Sequence, residues 1–274
     1  MVDETLPRIE SCYDGIARAQ ARVERHGPLV LFVKEGPGWP LYARPAPPGD
    51  QPVTVEDIAR VRARQRELGV PEEFEWVHDL APDLLPVAER AGLSVLRAPL
   101  LVLDPAALPP PASDVVVRLL DPGSPAYPDD FAASRAVGAV GFGNPGTAAG
   151  PAGPAERDTA GKPDDDLVRA EAARAASGAV TRAVVDSADG VVATGALLRS
   201  GDAAEIVGVT TLPSVRRRGL GAAVSATLAR HALDHGVRTV YLSAGSEEIA
   251  RVYQRVGFRR VGTACIAEPA GGHS

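Results

Sequence analysis

Hydrophobic and polar positions along this chain switch between two periods, and the switches mark out its elements. Residues 29–33, LVLFV, are a continuous apolar run that predicts a buried strand. A Gly36-Pro37-Gly38 turn follows, and the short run at 39–44 is placed to fold back as a hairpin. Residues 54–68, TVEDIARVRARQREL, carry apolar side chains at helical spacing. Thr54 suits the N-cap, Asp57 follows at the capping-box position, and Gly69 is the stop. Phe74–Val77 alternates like a half-buried strand, residues 82–91 read as a helix ended by Gly92, and residues 93–103 as a long apolar strand. The Pro-rich run at 105–113, PAALPPPAS, predicts a linker and a domain boundary, dividing the chain into 1–112 and 113–274.

The second part opens with a strand at 115–118 and a helix over 127–140, with Asp129 and Asp130 near its start. Residues 143–163, GNPGTAAGPAGPAERDTAGKP, are so rich in Gly, Pro and Ala that they predict a mobile or disordered loop. Three acids open a helix over 164–176, where the macrodipole favours them. Residues 182–185 and 191–198 form a hairpin across Asp189-Gly190. After residues 203–222 come a strand at 239–243, a helix at 246–256 and a last strand at 260–267.

Residues 203–222, AAEIVGVTTLPSVRRRGLGA, carry the strongest chemical signal. Ile206, Val207, Val209, Thr210 and Thr211 are mostly β-branched and favour a strand, which Pro213 stops. Arg216, Arg217, Arg218, Gly219, Leu220 and Gly221 then lead into a helix from Ala222 to His235. A helix start offers unpaired amides and partial positive charge, and glycines admit an anion close to the backbone. The residues alone leave three uses open: a pyrophosphate cradle, a solvated basic turn, or a nucleic-acid patch.

Composition weighs against the last. Acids outnumber bases, 35 to 29, for a net charge of −6, and the basic cluster has no interleaved aromatics. General affinity for nucleic acid or an anionic membrane is therefore not expected. Only Lys34 and Lys162 are lysines, which fits biased codon usage better than a phosphate-binding design. Cys12 and Cys265 stand far apart in no metal-ligand pattern, as expected of reduced thiols in a cytoplasmic protein. The first residues are acidic with no apolar run, so no signal peptide is expected, nor a membrane span.

The order of elements from 115 to 268 resembles the GNAT superfamily, the general-control-related N-acetyltransferases. So does the motif of Gln or Arg, two residues, Gly, one residue, Gly or Ala, met here by Arg216, Gly219 and Gly221. A helix with a tyrosine just before Gly-Phe is a second family element, met by Tyr253 and Gly257-Phe258. A weaker echo precedes it. Trp76 stands 165 residues before Tyr241, Ala88 before Tyr253, and Gly92-Leu93 before Gly257-Phe258. The cradle positions of that first copy are Gln51 to Glu56, without the arginines or glycines. The expectation is an α/β fold of the α+β type: tandem GNAT-like units, each a mixed, mostly antiparallel sheet flanked by helices. The first unit is degenerate and the second catalytic.

The resemblance implies acetyl-CoA as co-substrate and an amine acceptor, a small molecule or a peptide. It implies a backbone rail for the pantetheine arm at Val209, Thr210 and Thr211, with Gly208 in a bulge that splays the strand from its neighbour. It implies a cofactor grip from Arg216, Arg217, Arg218, Gly219, Leu220, Gly221 and Ala222, with Ser246 capping a helix nearby. Tyr253 becomes the general acid for the departing thiolate, and Glu205 the general base acting through water. The acidic first part suits a cationic acceptor. No metal is expected: His231 and His235 lack a placed third ligand, His78-Asp79 reads as surface, and Cys265 as a buried thiol. The sequence leaves open a module that senses acetyl-CoA without turnover, a scaffold with two inactive copies, and the choice between monomer and homodimer.

Overall fold

The computed structural model describes residues 4–46, 51–111 and 115–271. Its contacts divide the chain into two compact units, Met1–Leu100 with Arg260–Ser274, and Leu101–Arg259. The linker alone puts the division at 112/113. Contacts group the chain differently because a strand goes with its ladder: Ala264 to Ala267, at the chain's end, pair antiparallel with Val77 to Phe74.

The first unit contains α1 (Thr5–Arg18), β1 (Ala21–His26), β2 (Leu29–Lys34), β3 (Arg44–Pro45), α2 (Val55–Leu68), β4 (Phe74–Val77), α3 (Leu84–Arg90) and most of β5 (Leu93–Leu103). Strand β2 does not fold back on residues 39–44 as a simple hairpin. Its long partner is β1, and β3 adds a pair of residues on the other side, Leu29 opposite Pro45 and Val30 opposite Arg44. Neither α1 nor β1 was expected. Strand β1, ARVERH, is too charged to read as a strand, whereas α1 buries Ile9, Cys12, Tyr13 and Ala17 at a helical spacing that was legible. Arg44 is buried between Glu10 at 2.8 Å and Glu75 at 2.6 Å, joining β3 to α1 and β4. Leu29, Leu31, Ile58, Val61, Phe74, Trp76 and Leu93 fill the core beneath. Helix α2 starts as its sequence predicts: Thr54 and Asp57 close a capping box, and Gly69 ends the helix at φ 65°.

The second unit contains β6 (Val117–Leu119), α4 (Tyr127–Phe142), α5 (Pro154–Asp158), α6 (Asp165–Ala176), β7 (Val180–Ser187), β8 (Gly190–Ser200), β9 (Ala203–Thr211), α7 (Leu220–Asp234), β10 (Thr239–Ser243) and α8 (Glu247–Gln254). The last strand, β11 (Phe258–Pro269), begins here and lies mostly in the first unit. Within the second unit the strand order is β10-β9-β8-β7-β6, antiparallel except for the β9–β10 pair. Helices α4 and α7 cover opposite faces. Thr210 points at Gly141 of α4, while its neighbour Val209 points toward Gly221 of α7. Phe131, Val137, Val184, Ala193, Ile206, Leu212, Val224 and Leu228 pack the core between these layers.

The units repeat an element order. Helix α2, β4, α3 and β5 recur as α7, β10, α8 and β11, with Val55 and Leu220, Phe74 and Thr239, and Leu93 and Phe258 each 165 residues apart. Among the described residues no helix is long and apolar enough to cross a membrane.

Candidate active site

The site is built where β9 parts from β10. Their parallel pairing runs Ala203–Thr239, Ala204–Val240, Glu205–Tyr241 and stops there. Strand β9 continues to Thr211 and β10 to Ser243. Among the described residues, no strand flanks β9 on that side from Ile206 onward. The two strands thus form a fork that opens toward their C-terminal ends, with backbone groups along the β9 arm that no strand partners on that side among the described residues.

A bulge makes the fork. Ala196 faces Val207 and Thr194 faces Thr210, so Gly195 alone opposes Gly208 and Val209. Gly208 takes φ +63°, the left-handed conformation that a bulged glycine supplies at low cost, and the extra residue bends β9. The bulge lies where the family resemblance implied it. Glu205 sits buried at the crotch, the last paired residue before the arms separate.

The chain then turns through Pro213–Val215 into α7. Arg217 has φ +66° and Gly219 φ +76°, so two left-handed residues bracket Arg218 just before the helix. A non-glycine residue in that region carries strain of about 1 kcal/mol or more. Helix α7 has no side-chain cap and no acid in its first turn. Its first intrahelical bond is from the Ala223 amide to the Gly219 carbonyl, at 3.0 Å, which leaves the Leu220, Gly221 and Ala222 amides unanswered by the helix itself. Arg217, Arg218 and Gly219 are exposed, and among the described residues neither arginine has a hydrogen-bond or ion-pair partner. A Cβ added at Gly221 would lie 3.7 Å from Val209 and 3.9 Å from Thr211, in the gap between the helix start and the β9 arm.

Arg216 behaves differently from its neighbours. Its Nε donates to the Thr211 carbonyl at 3.2 Å, and its Nη1 to the Ala148 carbonyl at 3.2 Å. Its Nη2 donates to the carbonyls of Gly141 at 3.0 Å and Asn144 at 2.6 Å. Burial pulls this guanidinium below its ordinary value. The sequence marked Arg216 as a cofactor contact, yet its side chain is wholly engaged with carbonyls.

Two of those carbonyls, of Asn144 and Ala148, belong to the Gly/Pro-rich segment at 143–163 that was expected to be mobile. It is held in place instead. The Gly150 amide donates to the Pro213 carbonyl and the Ser214 amide to the Ala152 carbonyl. Thr147 donates to Glu248 of α8. Further on, buried Arg157 donates to the Val191 carbonyl at 2.7 Å. Composition predicted disorder; partners remote in sequence hold the segment instead.

On the far arm, Ser246 caps α8 by accepting from the Ile249 amide at 3.2 Å. Tyr253 is buried in the same helix, edge-on to Phe258 with ring centroids 6.1 Å apart. Burial pushes its phenol up to about 12, so it holds its proton at any ordinary pH. A separate cleft of about 200 Å³ lies against α4 and shares no residue with the fork; Asp129, Ala132, Ala136, Arg157 and Lys162 are among its lining residues. Among the described residues no group of three or more His, Cys, Asp or Glu side chains is placed to hold a metal ion.

This fork, with a bare helix start on one arm and a buried tyrosine on the other, can now be compared with known proteins. Residues 153–258 match the acetyltransferase (GNAT) family. That match supports acetyl transfer as the kind of chemistry. The whole chain also superimposes on solved GNAT structures. A GCN5-related N-acetyltransferase from Kribbella flavida is 24% identical with a TM-score of 0.69, over 98% of this chain and 96% of that one. A GNAT-family protein from Novosphingobium aromaticivorans is 20% identical at TM-score 0.52, over 94% of each chain. A tandem GNAT protein from the clavulanic acid biosynthesis pathway is 14% identical at TM-score 0.51, over 89% of this chain and 79% of that one. At these identities the likeness is one of fold, and it bears out the expected tandem α/β architecture. No curated protein sequence matches the chain.

The GNAT-matching region holds every expected site residue, from Glu205 on β9 to Tyr253 on α8. The sequence reasoning missed the carbonyls of Gly141, Asn144 and Ala148, and the Thr147–Glu248 contact. Backbone acceptors have no residue-type signature, so nothing in the sequence pointed toward them.

Proposed function

We propose that the chain is an N-acetyltransferase that moves the acetyl group of acetyl-CoA to a primary amine on a small molecule or peptide, by direct attack. One observation carries this: the uncapped α7 start, with Arg217 and Arg218 beside it lacking any partner among the described residues, stands at the mouth of a fork whose β9 arm pairs with no strand on that side beyond Glu205 among the described residues. The Leu220, Gly221 and Ala222 amides would hold the pyrophosphate, with Arg217 and Arg218 supplying charge and Gly219 the turn. The Val209–Thr211 backbone would pair with the pantetheine arm as a further strand does. Acetyl-CoA supplies the activated acyl group; the protein's own groups align it and move protons. Glu205, at the crotch, takes a proton from the amine through water. As the new C–N bond forms and the C–S bond breaks, the Tyr253 hydroxyl returns a proton to the thiolate sulfur. Ser246 orients α8 and Arg216 the neighbouring segment.

The first part, residues 1–112, is inferred to be a degenerate copy that no longer takes the cofactor, and residues 113–274 the catalytic one. Supporting this, the α2 start already carries its own anion: Asp57 accepts from the Thr54 amide at 3.0 Å. Cys12 and Cys265 are buried and form no disulfide, as suits a reducing, cytoplasmic setting.

The test is calorimetry with CoA, followed by thiol release from acetyl-CoA in the presence of lysine, spermidine, kanamycin or a lysine-containing peptide, with products read by mass spectrometry. Binding with release on one amine supports the proposal. Binding without release on any of them favours a sensor without turnover, and no binding leaves only a scaffold.

A further inference from the structure

We propose that Arg216, the first residue of the glycine motif, is a positioning residue: it fixes the 141–150 segment as a strap across the open end of the fork and so sets the approach of the amine. The inference rests on the acetyl-transfer proposal and deepens it.

The strap leaves α4 at Phe142 and passes the end of β9, where the Gly150 amide reaches the Pro213 carbonyl. Between these points Thr147 touches Glu248 in the first turn of α8. Strand β9 and helix α8 belong to the two arms of the fork, so the strap bridges them. A thioester lying along Val209–Thr211 would have the strap beside it, and an amine must enter past it.

The strap cannot hold that path by itself. Residues 143–150, GNPGTAAG, contain no charge and no large apolar side chain. Such a segment has high conformational entropy and nothing to bury. Arg216 supplies the missing fixed point. Three of its nitrogens reach four carbonyls, three of them in the strap or at its root and one at the end of β9. A guanidinium does this because its donors fan out in one plane, and an ammonium, with one nitrogen, cannot span the same set. The residue therefore separates from Arg217 and Arg218, which face solvent with no partner among the described residues. The motif divides its labour: one arginine shapes the acceptor side, and the next two face the cofactor.

The experiment compares Arg216→Lys and Arg216→Gln with the wild type and with Arg218→Gln. Hydrogen exchange is read over 143–153 and 212–216, CoA affinity by calorimetry, and KM for acetyl-CoA and for the fastest of the four amines above by thiol release. Both Arg216 variants should lose protection at the Gly150 and Ser214 amides. The amine KM should rise about tenfold or more, since small misplacements of a reactant are costly. CoA affinity should stay within about twofold, well under ~1 kcal/mol. Arg218→Gln should do the reverse. Lys retains the charge, so rescue by Lys would make Arg216 an electrostatic residue and overturn the proposal, as would a loss confined to CoA affinity. If Arg216→Gln does not fold, Arg216→Lys decides alone. A wild type that neither binds CoA nor releases thiol sinks the enzyme assignment, while exchange over 143–153 still reports whether Arg216 anchors the strap.

Discussion

Replacing Gly219 by Asp separates charge from shape at the proposed cradle. Gly219 precedes α7 with φ +76°, and a Cβ there would meet nothing within 4 Å. The substitution therefore has room, and its folding cost is that of a side chain in the left-handed region, about 1 kcal/mol and less for Asp or Asn than for other residues. In a chain of this size that lowers Tm by roughly 2–4 °C. The effect on an anionic ligand is larger. A carboxylate about 5 Å from a pyrophosphate charge repels it by ~3 kcal/mol at an effective dielectric of about 20. Salt reduces this at an exposed site, so ~2 kcal/mol, or about 30-fold in Kd, is expected near physiological ionic strength, and more at low salt. Gly219→Asn is the control, since it repeats the backbone strain without the charge. Calorimetry with CoA at two salt concentrations, alongside thermal unfolding, reads all three quantities. Equal affinity losses for Asp and Asn, or an Asp variant that binds like the wild type, would refute an electrostatic cradle at this helix start.

Tyr253→Phe should keep CoA affinity within about twofold and lower kcat by ~100-fold or more, because the ring packing against Phe258 survives and only the proton donor is lost. The same phenol has its folded value raised to about 12, so its contribution to stability is full below its ordinary value near 10 and fades as pH rises toward 12; Tyr253→Phe should flatten the alkaline stability loss over that window in chemical denaturation. Gly141→Ala should destabilise by ~1–3 kcal/mol, since the new Cβ falls 3.0 Å from two Thr210 carbons and onto its hydroxyl, and adding Thr210→Ala should restore most of the lost Tm; no rescue would show that the clash is not the cause. The Arg64 hydrogen bond holds Glu24 down to about 2, so its stabilisation is present above the usual carboxylate range and lost as pH falls toward 2; Arg64→Met should therefore move acid unfolding, followed by circular dichroism, to higher pH. Calorimetry should find one CoA per chain, and a second site would contradict the inferred loss of the cradle in the first half.

What the sequence disclosed and what it concealed divide along a physical line. Signals local to the backbone were legible: the capping box at Thr54, the stop at Pro213 and the helix start, expected at Ala222 and found at Leu220, depend on residues within a turn of one another. Interactions set by distant carbonyls were not. Arg216 reads as one of three equivalent cations, and nothing in the letters of 141–148 announces that its carbonyls converge on that guanidinium. The charged strand β1 was concealed for a related reason: its place comes from pairing with β2, which overrides its own composition.

The two corresponding helix starts differ in how their amides are answered. Helices α2 and α7 face the same problem of orphan amides. In α2, Thr54 and Asp57 solve it internally, with Thr54 at the position that matches Gly219 and Asp57 at the one that matches Ala222. A cap of that kind is worth about 1 kcal/mol. Helix α7 does without it, and the residues before it add left-handed strain at Arg217. Two unpartnered arginines beside uncapped amides are a further cost in self-repulsion. Folding stability alone would favour the α2 solution at both places, and one chain contains both. The arrangement at α7 is accounted for when an anion completes it, since the anion then answers the bare amides and the charge of the two arginines. Placing an acid at the α7 start as in α2, by Ala222→Asp alone so that the left-handed Gly219 is kept, should raise Tm and abolish CoA binding together. A variant that gained neither the stability nor the loss of affinity would break the correspondence between the two helix starts on which the assignment of the second half as the catalytic one depends.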